Sequence, residues 1–375
     1  MENEYESGQV PVAPLRIGIT HGDVNGISYE IILKALADVR MMELFTPVVY
    51  GSSKVASYHR KSLDTGDLHF NIVRSAEQAQ DGRANMINIY PDEIKVDIGQ
   101  STEVAGQMAF LALEQATADL KEGRIDALVT APINKQNIQS KDFDFPGHTE
   151  YLANRFNVSD SLMLMVNQSI RIGVITGHIP LREVPLSVSR EKIVQKLRIL
   201  HSSLSRDFGI RKPRIALLGL NPHAGDKGII GIEEEEILVP VIQQAFDDGM
   251  LVFGPYPADG FFGSASFRKF DGVLAMYHDQ GLIPFKTLSF KGGVNFTAGL
   301  PVVRTSPAHG TAYDIAGKNM ASPDAMRESI YLAIEVVRNR RMYDEIAANP
   351  LKYGMLDEDS DADRNELKNL PEEQG

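Results

Sequence analysis

Three histidines in this 375-residue chain each stand just beyond a short apolar segment of the kind that forms a buried β-strand. They are His178, His223 and His278. Because open α/β sheets bind ligands at the carboxyl ends of their strands, these side chains are candidates for one site. Three neutral imidazoles with an open fourth position make a catalytic divalent-metal site. Separate hydrogen-bonded loop residues are the alternative, and the spacing leaves both interpretations open.

A second group of reactive side chains lies in the stretch 271–311. Lys286 and Arg304 stand on either side of two adjacent glycines, with Asn295 between them. This combination of cations and hydrogen-bond donors suits a phosphate or a carboxylate. The alternative is that both cations are solvated loop charges.

Other polar residues carry weaker signals. His148 and Thr149 follow a glycine at a predicted helix start, where free backbone N–H groups favour anions. His21 ends the first predicted strand and is expected to line the substrate cleft. Asp259 lies near a proline, which is typical of a turn residue, and a catalytic role is the alternative. The acidic run 233–236 is expected to be a solvated helix start.

Composition excludes several classes of protein. The chain has no cysteine, so it forms no disulfide, thiolate nucleophile or Cys-ligated zinc site. A net charge of −12 argues against nucleic acid and anionic membranes as partners. No apolar run approaches the roughly 18 residues of a membrane span, and the first residues lack a secretory signal. A cytoplasmic location is therefore expected, and any anionic substrate needs a local cationic pocket.

The pattern of segments predicts an α/β protein. Its length suits two domains, because single cores stop growing at about 250 to 300 residues. Ser101 is expected to cap a helix on which Val104, Met108, Leu111 and Leu120 recur at helical spacing. The dinucleotide fingerprint G-x-G-x-x-G is absent from the sequence, so a standard Rossmann site is not supported. The predicted strands are 15–20, 47–50, 125–129, 161–167, 171–176, 214–220, 252–255 and 273–277.

Eight ordered motifs between residues 15 and 340 resemble those of the 4-hydroxythreonine-4-phosphate dehydrogenase family. They are GDVNGISYEIILKAL, TAPINK, FPGHTEYLA, TGHIPLREVP, GLNPHAGDKG, GPYPADGFF, MYHDQGLIPFK and GVNFTAGLPVVRTSPAHGTAYDIAGK.

The resemblance implies two α/β/α domains around a cleft, as in isocitrate and isopropylmalate dehydrogenases. The first domain would comprise 15–140 plus 300–355. The second, 141–299, would carry the metal site and the dimer contacts. A flexible extension over 1–14 and a disordered acidic tail over 356–375 complete the expected organisation.

The resemblance also implies roles for individual residues. One divalent ion per active site, Zn, Mg or Co, would be held by His178, His223 and His278, contributed from both subunits of a homodimer. Asp259 and Lys286 are candidates for the proton acceptor. NAD or NADP would be the cofactor, with no contact residues assigned. The substrate contacts would be His148, Thr149, Lys286, Asn295 and Arg304.

The implied reaction is NAD-dependent oxidation of 4-phosphooxy-L-threonine at C3, followed by decarboxylation to 3-amino-2-oxopropyl phosphate, in vitamin B6 biosynthesis. Two departures occur in the first loop. The family commonly has Met at the position of His21, and Asp-Pro-Ala-Gly in place of Asp23-Val24-Asn25-Gly26. Three alternatives stay open: a paralogous dehydrogenase of another phosphorylated four-carbon acid, a metal-dependent hydrolase, and a non-catalytic binder of sugar phosphates.

Overall fold

The computed structural model describes residues 14–63, 68–90, 94–289 and 292–348. The predicted tail and, apart from residue 14, the predicted N-terminal extension lie outside these ranges. Helices and strands alternate along most of the described chain, so the predicted α/β class is confirmed.

Twelve strands in the described residues form one mixed sheet in the order β3-β4-β2-β1-β5-β12-β11-β6-β7-β10-β8-β9. The strands are β1 (Arg16–Thr20), β2 (Thr46–Gly51), β3 (Asn71–Val73), β4 (Asn85–Asn88), β5 (Ala127–Thr130), β6 (Leu162–Val166), β7 (Arg171–Thr176), β8 (Arg214–Leu218), β9 (Leu251–Tyr256), β10 (Gly272–Tyr277), β11 (Val294–Ala298) and β12 (Val303–Pro307).

Eleven α-helices connect these strands within the described ranges. They are α1 (Ser28–Leu36), α2 (Met41–Leu44), α3 (Ser53–Arg60), α4 (Glu103–Lys121), α5 (His148–Arg155), α6 (Val184–Ser187), α7 (Arg190–Arg206), α8 (Val239–Asp247), α9 (Ala258–Gly263), α10 (His278–Leu288) and α11 (Asp324–Ala348). A π-helical turn, Glu234–Leu238, precedes α8.

The strand directions position the site. Strands β7, β10 and β8 are parallel neighbours, so the segments that follow them leave the same edge of the sheet. Strand β11 is antiparallel to both of its neighbours, β12 and β6. The predicted domain boundary at 299/300 falls between β11 and β12, which are hydrogen-bonded within one sheet. The division into two domains stays a prediction.

Helix α4 differs from expectation in its start and its buried face. Thr102, not Ser101, is the N-cap, and its Oγ1 accepts a hydrogen bond from the Ala105 backbone at 3.2 Å. Val104 and Leu111 are 47% and 40% exposed. The helix packs on the sheet through small side chains, which allow a closer approach than large ones. These buried residues include Ala105, Gly106, Ala109, Ala112 and Ala116.

Candidate active site

A cleft of about 890 Å³ gathers most of the predicted site residues. Seven of them line it together: His148, Thr149, His178, His278, Lys286, Asn295 and Arg304. They come from helices α5 and α10, strands β11 and β12, and the segment after β7. The two that do not line the cleft are His223 and Asp259.

Arg304 is the most deeply buried cation of the cleft. It lies on β12 and is 2% exposed. Its Nε and Nη2 donate to Oγ1 of Thr130 at 3.1 and 2.6 Å, and its Nη1 donates to Oγ1 of Thr297 at 3.2 Å. Within the described ranges no carboxylate forms an ion pair with it, although Glu150 acts on it at longer range. This cation therefore lacks a close counter-ion.

Burial lowers the pKa of the Arg304 guanidinium to about 9, and the negative charge of Glu150 offsets part of that effect. The side chain stays charged at neutral pH. A buried charge that contacts only hydroxyl groups is under-compensated, because hydroxyl oxygens carry no formal charge. A bound phosphate or carboxylate would supply what is missing.

Two more polar atoms in the cleft lack partners. Nε2 of His148 and Oδ1 of Asn295 are buried, and neither has a hydrogen-bond partner among the described residues. Burial, followed by the positive charges of Arg304 and Lys135, holds the pKa of His148 well below its usual range. The imidazole is therefore neutral at pH 7. Buried polar groups are normally satisfied, so orphaned atoms beside a desolvated cation indicate a ligand site.

His178 and His278 face each other across the cleft, with ring centroids 5.4 Å apart. Oδ1 of Asp279 lies 2.7 Å from Nδ1 of His278, an arrangement that orients metal-binding imidazoles and leaves Nε2 free. Partial burial, together with Lys135 and His278, lowers the pKa of His178. A neutral imidazole is the form that binds a metal ion.

The donor set fits a divalent metal only in part. Two imidazoles with a carboxylate behind one of them suit Zn or Co better than Mg, which prefers oxygen ligands. Within the described ranges, however, no three His, Asp or Glu side chains are grouped so that they could hold a metal ion. The described residues thus bring two candidate imidazole ligands together, His178 and His278, without a third beside them.

The remaining predicted residues lie outside this cleft. His223 is exposed in the turn Pro222–Asp226, which follows β8. Asp259 lies on α9 beside a separate cavity of about 500 Å³. That cavity is also lined by Asp279, the partner of His278. Asp259 therefore shares a cavity with the partner of His278 but does not line the cleft itself.

Lys135 is a site residue that the sequence analysis overlooked. It lines the cleft, and its Nζ is 3.5 Å from Nε2 of His178. Its motif, TAPINK, follows β5 at the position where three candidate histidines follow their strands. This position at a strand end is the sequence signal that could have identified Lys135.

The first loop is structural, and the expectation that His21 lines the cleft is wrong. His21 is 0% exposed, bonds through Nε2 to the Tyr90 hydroxyl and stacks on Tyr29 at 5.4 Å. Burial lowers its pKa to about 4. The side chain of Asn25 donates to the Gln100 carbonyl and to Oγ1 of Thr102, both at 3.0 Å. Both departures from the family pattern therefore contribute to packing.

A family model described as pyridoxal phosphate biosynthetic protein PdxA matches residues 43–333. The chain belongs to the PdxA family. It is 51% identical to 4-hydroxythreonine-4-phosphate dehydrogenase of Bacteroides thetaiotaomicron, over 96% of this chain and 99% of the relative. A relative from Oceanobacillus iheyensis, provisionally named D-threonate 4-phosphate dehydrogenase, is 39% identical over 85% of this chain and 97% of its own.

Comparison with a solved structure supports the same family assignment. The crystal structure of 4-hydroxythreonine-4-phosphate dehydrogenase from Klebsiella pneumoniae superposes with a TM-score of 0.74 at 34% identity, covering 88% of this chain and 99% of that one. The resemblance drawn from the eight motifs is thereby confirmed. None of the helices in the described part of this PdxA-family chain has both the length and the apolar character needed to cross a membrane.

Proposed function

We propose that this chain is a metal- and NAD-dependent dehydrogenase that oxidises 4-phosphooxy-L-threonine at C3 and releases carbon dioxide to give 3-amino-2-oxopropyl phosphate. The observation that carries the proposal is the cleft itself. It combines a desolvated Arg304 and two orphaned polar atoms with a facing pair of imidazoles, His178 and His278. One end suits an anion and the other suits a metal-bound oxygen ligand.

At the anion end, Arg304 and Lys286 are the cations proposed to bind the substrate, with His148, Thr149 and Asn295 as hydrogen-bonding groups. A charge-assisted hydrogen bond to a desolvated anion contributes roughly 1.5 to 3 kcal/mol. Because the whole chain carries a net charge of −12, this local group of cations is what lets an acidic protein hold a doubly anionic substrate.

At the other end, His178 and His278 would hold the divalent ion, with Zn or Co favoured by the imidazole donors. Such an ion supplies Lewis-acid stabilisation of negative charge on oxygen. Lys135, beside His178, adds a positive charge to the same region. The residues of this end therefore favour the alcohol in its deprotonated form.

The proposed reaction has two steps, oxidation at C3 and then decarboxylation. The C3 hydrogen leaves with its electron pair to the nicotinamide, and the hydroxyl proton passes to a base. The bond from C2 to the carboxylate carbon then breaks, its electrons form an enolate, and a proton adds at C2. Lys286 lines the cleft of its own chain and is the better supported proton acceptor. It can accept the proton only as a neutral amine, so in that role Arg304 alone is the cation that holds the anion. Asp259 could serve only if a second chain brought it near.

We further propose that the active enzyme is a homodimer with shared sites. His223 and Asp259 do not line the cleft of their own chain, and exposed apolar side chains occur in the same part of the sequence, between residues 181 and 283. Leu181, Ile229 and Ile283 are 69%, 80% and 63% exposed. An interface over such residues would bury apolar area and deliver His223 to the other subunit.

Subunit mixing tests the shared site. His178→Ala and His223→Ala homodimers should both be inactive, and a mixture of the two should regain activity if the ligands come from opposite chains. A fully active monomer at high dilution would contradict the shared site.

The second candidate substrate is D-threonate 4-phosphate, because a 39%-identical relative carries that provisional name. The two compounds differ at C2, where one has an ammonium group and the other a hydroxyl group. Glu150 lines the cleft and its carboxylate would favour the ammonium compound. Together with the 51% identity to the Bacteroides enzyme, this supports the first substrate.

Reduction of NAD, followed by the absorbance of the reduced nicotinamide, tests the assignment. We expect a higher kcat/KM with 4-phosphooxy-L-threonine than with D-threonate 4-phosphate, one carbon dioxide per nicotinamide reduced, and loss of turnover on chelation. Parallel assays with NADP give the cofactor preference. Phosphate release without nicotinamide reduction would instead identify a hydrolase, and binding without turnover would identify a sugar-phosphate binder.

A further inference from the structure

The turn that carries His223 has an unusual backbone. Six consecutive residues, His223 to Gly228, all have positive φ, with values of 53°, 50°, 79°, 43°, 55° and 86°. Only two of them are glycine, and the other four carry a Cβ that crowds the backbone in this region. A run of this kind is held only where surrounding contacts specify it.

Glu234 holds the two residues that lead into this run, Leu220 and Asn221. It is 2% exposed and lies in the π-helical turn before α8. Its Oε1 accepts hydrogen bonds from the backbone N–H groups of Leu220 and Asn221 at 2.7 and 2.8 Å, and its Oε2 accepts from Nδ2 of Asn221 at 2.9 Å. Among the described residues it forms no ion pair with a cation, so these three N–H groups satisfy its charge.

Two glycines allow the turn to close over this carboxylate. A Cβ on Gly225 would lie 2.7 Å from Oε2 of Glu234, and one on Gly219 would lie 3.2 Å from Oε1. Residues 219–225 thus surround a single buried carboxylate. His223 belongs to this segment and does not line the cleft of its own chain.

We propose that Glu234 is a positioning residue for His223, fixing the turn so that the imidazole is already placed when it meets the metal site. This inference rests on the proposed function of His223 as a metal ligand. Pre-placing the ligand removes the ordering cost from metal binding, which raises affinity without adding a contact. Supporting groups behind metal ligands typically change metal affinity by about 10-fold to 100-fold.

Three variants of the full-length protein test the proposal: Glu234→Ala, Glu234→Gln and the control Glu236→Gln, whose side chain is exposed in the same π-helical turn. Cobalt titration, followed by the visible spectrum of the bound ion, measures affinity and ligand geometry. Hydrogen exchange at the Leu220 and Asn221 amides measures the order of the turn without any metal.

We expect Glu234→Ala to bind cobalt about 10-fold to 100-fold more weakly, with an altered spectrum and faster exchange at both amides. Glu234→Gln should fall between Ala and wild type, because its oxygen still accepts from the two backbone N–H groups while its amide opposes Nδ2 of Asn221. Glu236→Gln should match wild type. If Glu234→Ala does not fold, the Gln variant decides.

A purely structural role gives a different result. It predicts a lower melting temperature for the Glu234 variants with unchanged cobalt affinity and spectrum of the folded protein, and that outcome overturns the proposal. His223→Ala is titrated in parallel. If it loses cobalt while the Glu234 variants keep wild-type affinity, only the positioning role fails. If it binds cobalt as well as wild type, His223 is not a metal ligand, so that part of the proposed function is wrong and the positioning role fails with it.

Discussion

The loop after β1 and the segments after β7 and β10 occupy equivalent places at strand ends, and each presents a histidine. In the first loop, Tyr29 and Tyr90 cover His21 completely. In the cleft, His178 and His278 face each other across open space. The position at a strand end therefore does not determine whether a histidine lines a ligand cleft or packs in the core. In these loops the difference is that aromatic side chains cover His21 but not His178 or His278.

The two regions also respond differently to burial. His21 is uncharged at neutral pH because burial lowers its pKa to about 4. Arg304 keeps its charge although burial lowers its pKa to about 9. His21 thus carries no charge that a ligand would have to compensate, whereas the cleft contains a cation that a bound anion would compensate. We expect substitutions in the cleft to change function and those in the first loop to change stability.

The largest effect is expected for His178→Ala. Loss of this proposed metal ligand would remove Lewis-acid stabilisation worth several kcal/mol, so kcat/KM should fall about a thousandfold or more. Nicotinamide reduction is the assay. The matched control is His201→Ala, whose histidine lies on α7 and does not line the cleft. Equal activity of both variants would remove His178 from the site.

His21→Met is expected to alter the pH dependence of stability. The pKa of His21 is about 4 in the folded protein and about 6.5 in the unfolded chain. Between these values the unfolded state binds more protons, so the free energy of unfolding falls as pH drops from about 6.5 to 4, by about 3 kcal/mol in total.

The methionine variant lacks this titration and should lose correspondingly less stability across the same pH window. Urea unfolding at both ends of the window, compared with wild type, measures the difference. Because other groups titrate in both proteins, only the wild-type minus variant difference is diagnostic. Parallel curves for the two proteins would show that His21 does not become charged on unfolding.

Arg304→Ala is expected to weaken substrate binding by about 10-fold to 150-fold, the equivalent of roughly 1.5 to 3 kcal/mol. Arg304→Lys should recover part of the loss, because an ammonium group cannot reproduce the planar donor pair. Initial rates at varied substrate and varied NAD give both KM values. A loss confined to NAD would assign Arg304 to the cofactor instead.

The smallest effect is expected for Asn25→Ala. It removes two side-chain hydrogen bonds and leaves the Asp97 backbone N–H without its 2.8 Å acceptor, which should lower the free energy of unfolding by about 1 to 3 kcal/mol. KM and kcat of the folded enzyme should stay unchanged. A raised KM with unchanged stability would move the first loop into the substrate site.

Several elements were predictable because the signal is local. The apolar segments at 15–20, 171–176 and 273–277 became β1, β7 and β10 within a residue at each end. The burial of the Glu234 carboxylate was not predictable. The run 233–236 has the composition of a solvated helix start, but the preceding turn, 219–225, folds over Glu234 and buries it.

The depth of Arg304 was also beyond the sequence pattern. Its burial depends on the pairing of β12 with β5, a strand distant in sequence, as well as with the adjacent β11. The buried face of α4 was predicted wrongly for a related reason. The prediction relied in part on the large apolar residues Val104 and Leu111, whereas alanines are the commonest residues of the face that packs on the sheet. Long-range packing, rather than local periodicity, set each of these outcomes.

The hydrogen bonds of Arg304 have a mechanical consequence. Its guanidinium joins Thr130 on β5 to Thr297 on β11, the strands on either side of β12. Rotation of one half of the sheet against the other about β12 would stretch these two bonds. An anion bound to the same guanidinium would add further bonds across the junction and raise its torsional stiffness. Substrate occupancy and the rigidity of the molecule along this line should therefore rise together.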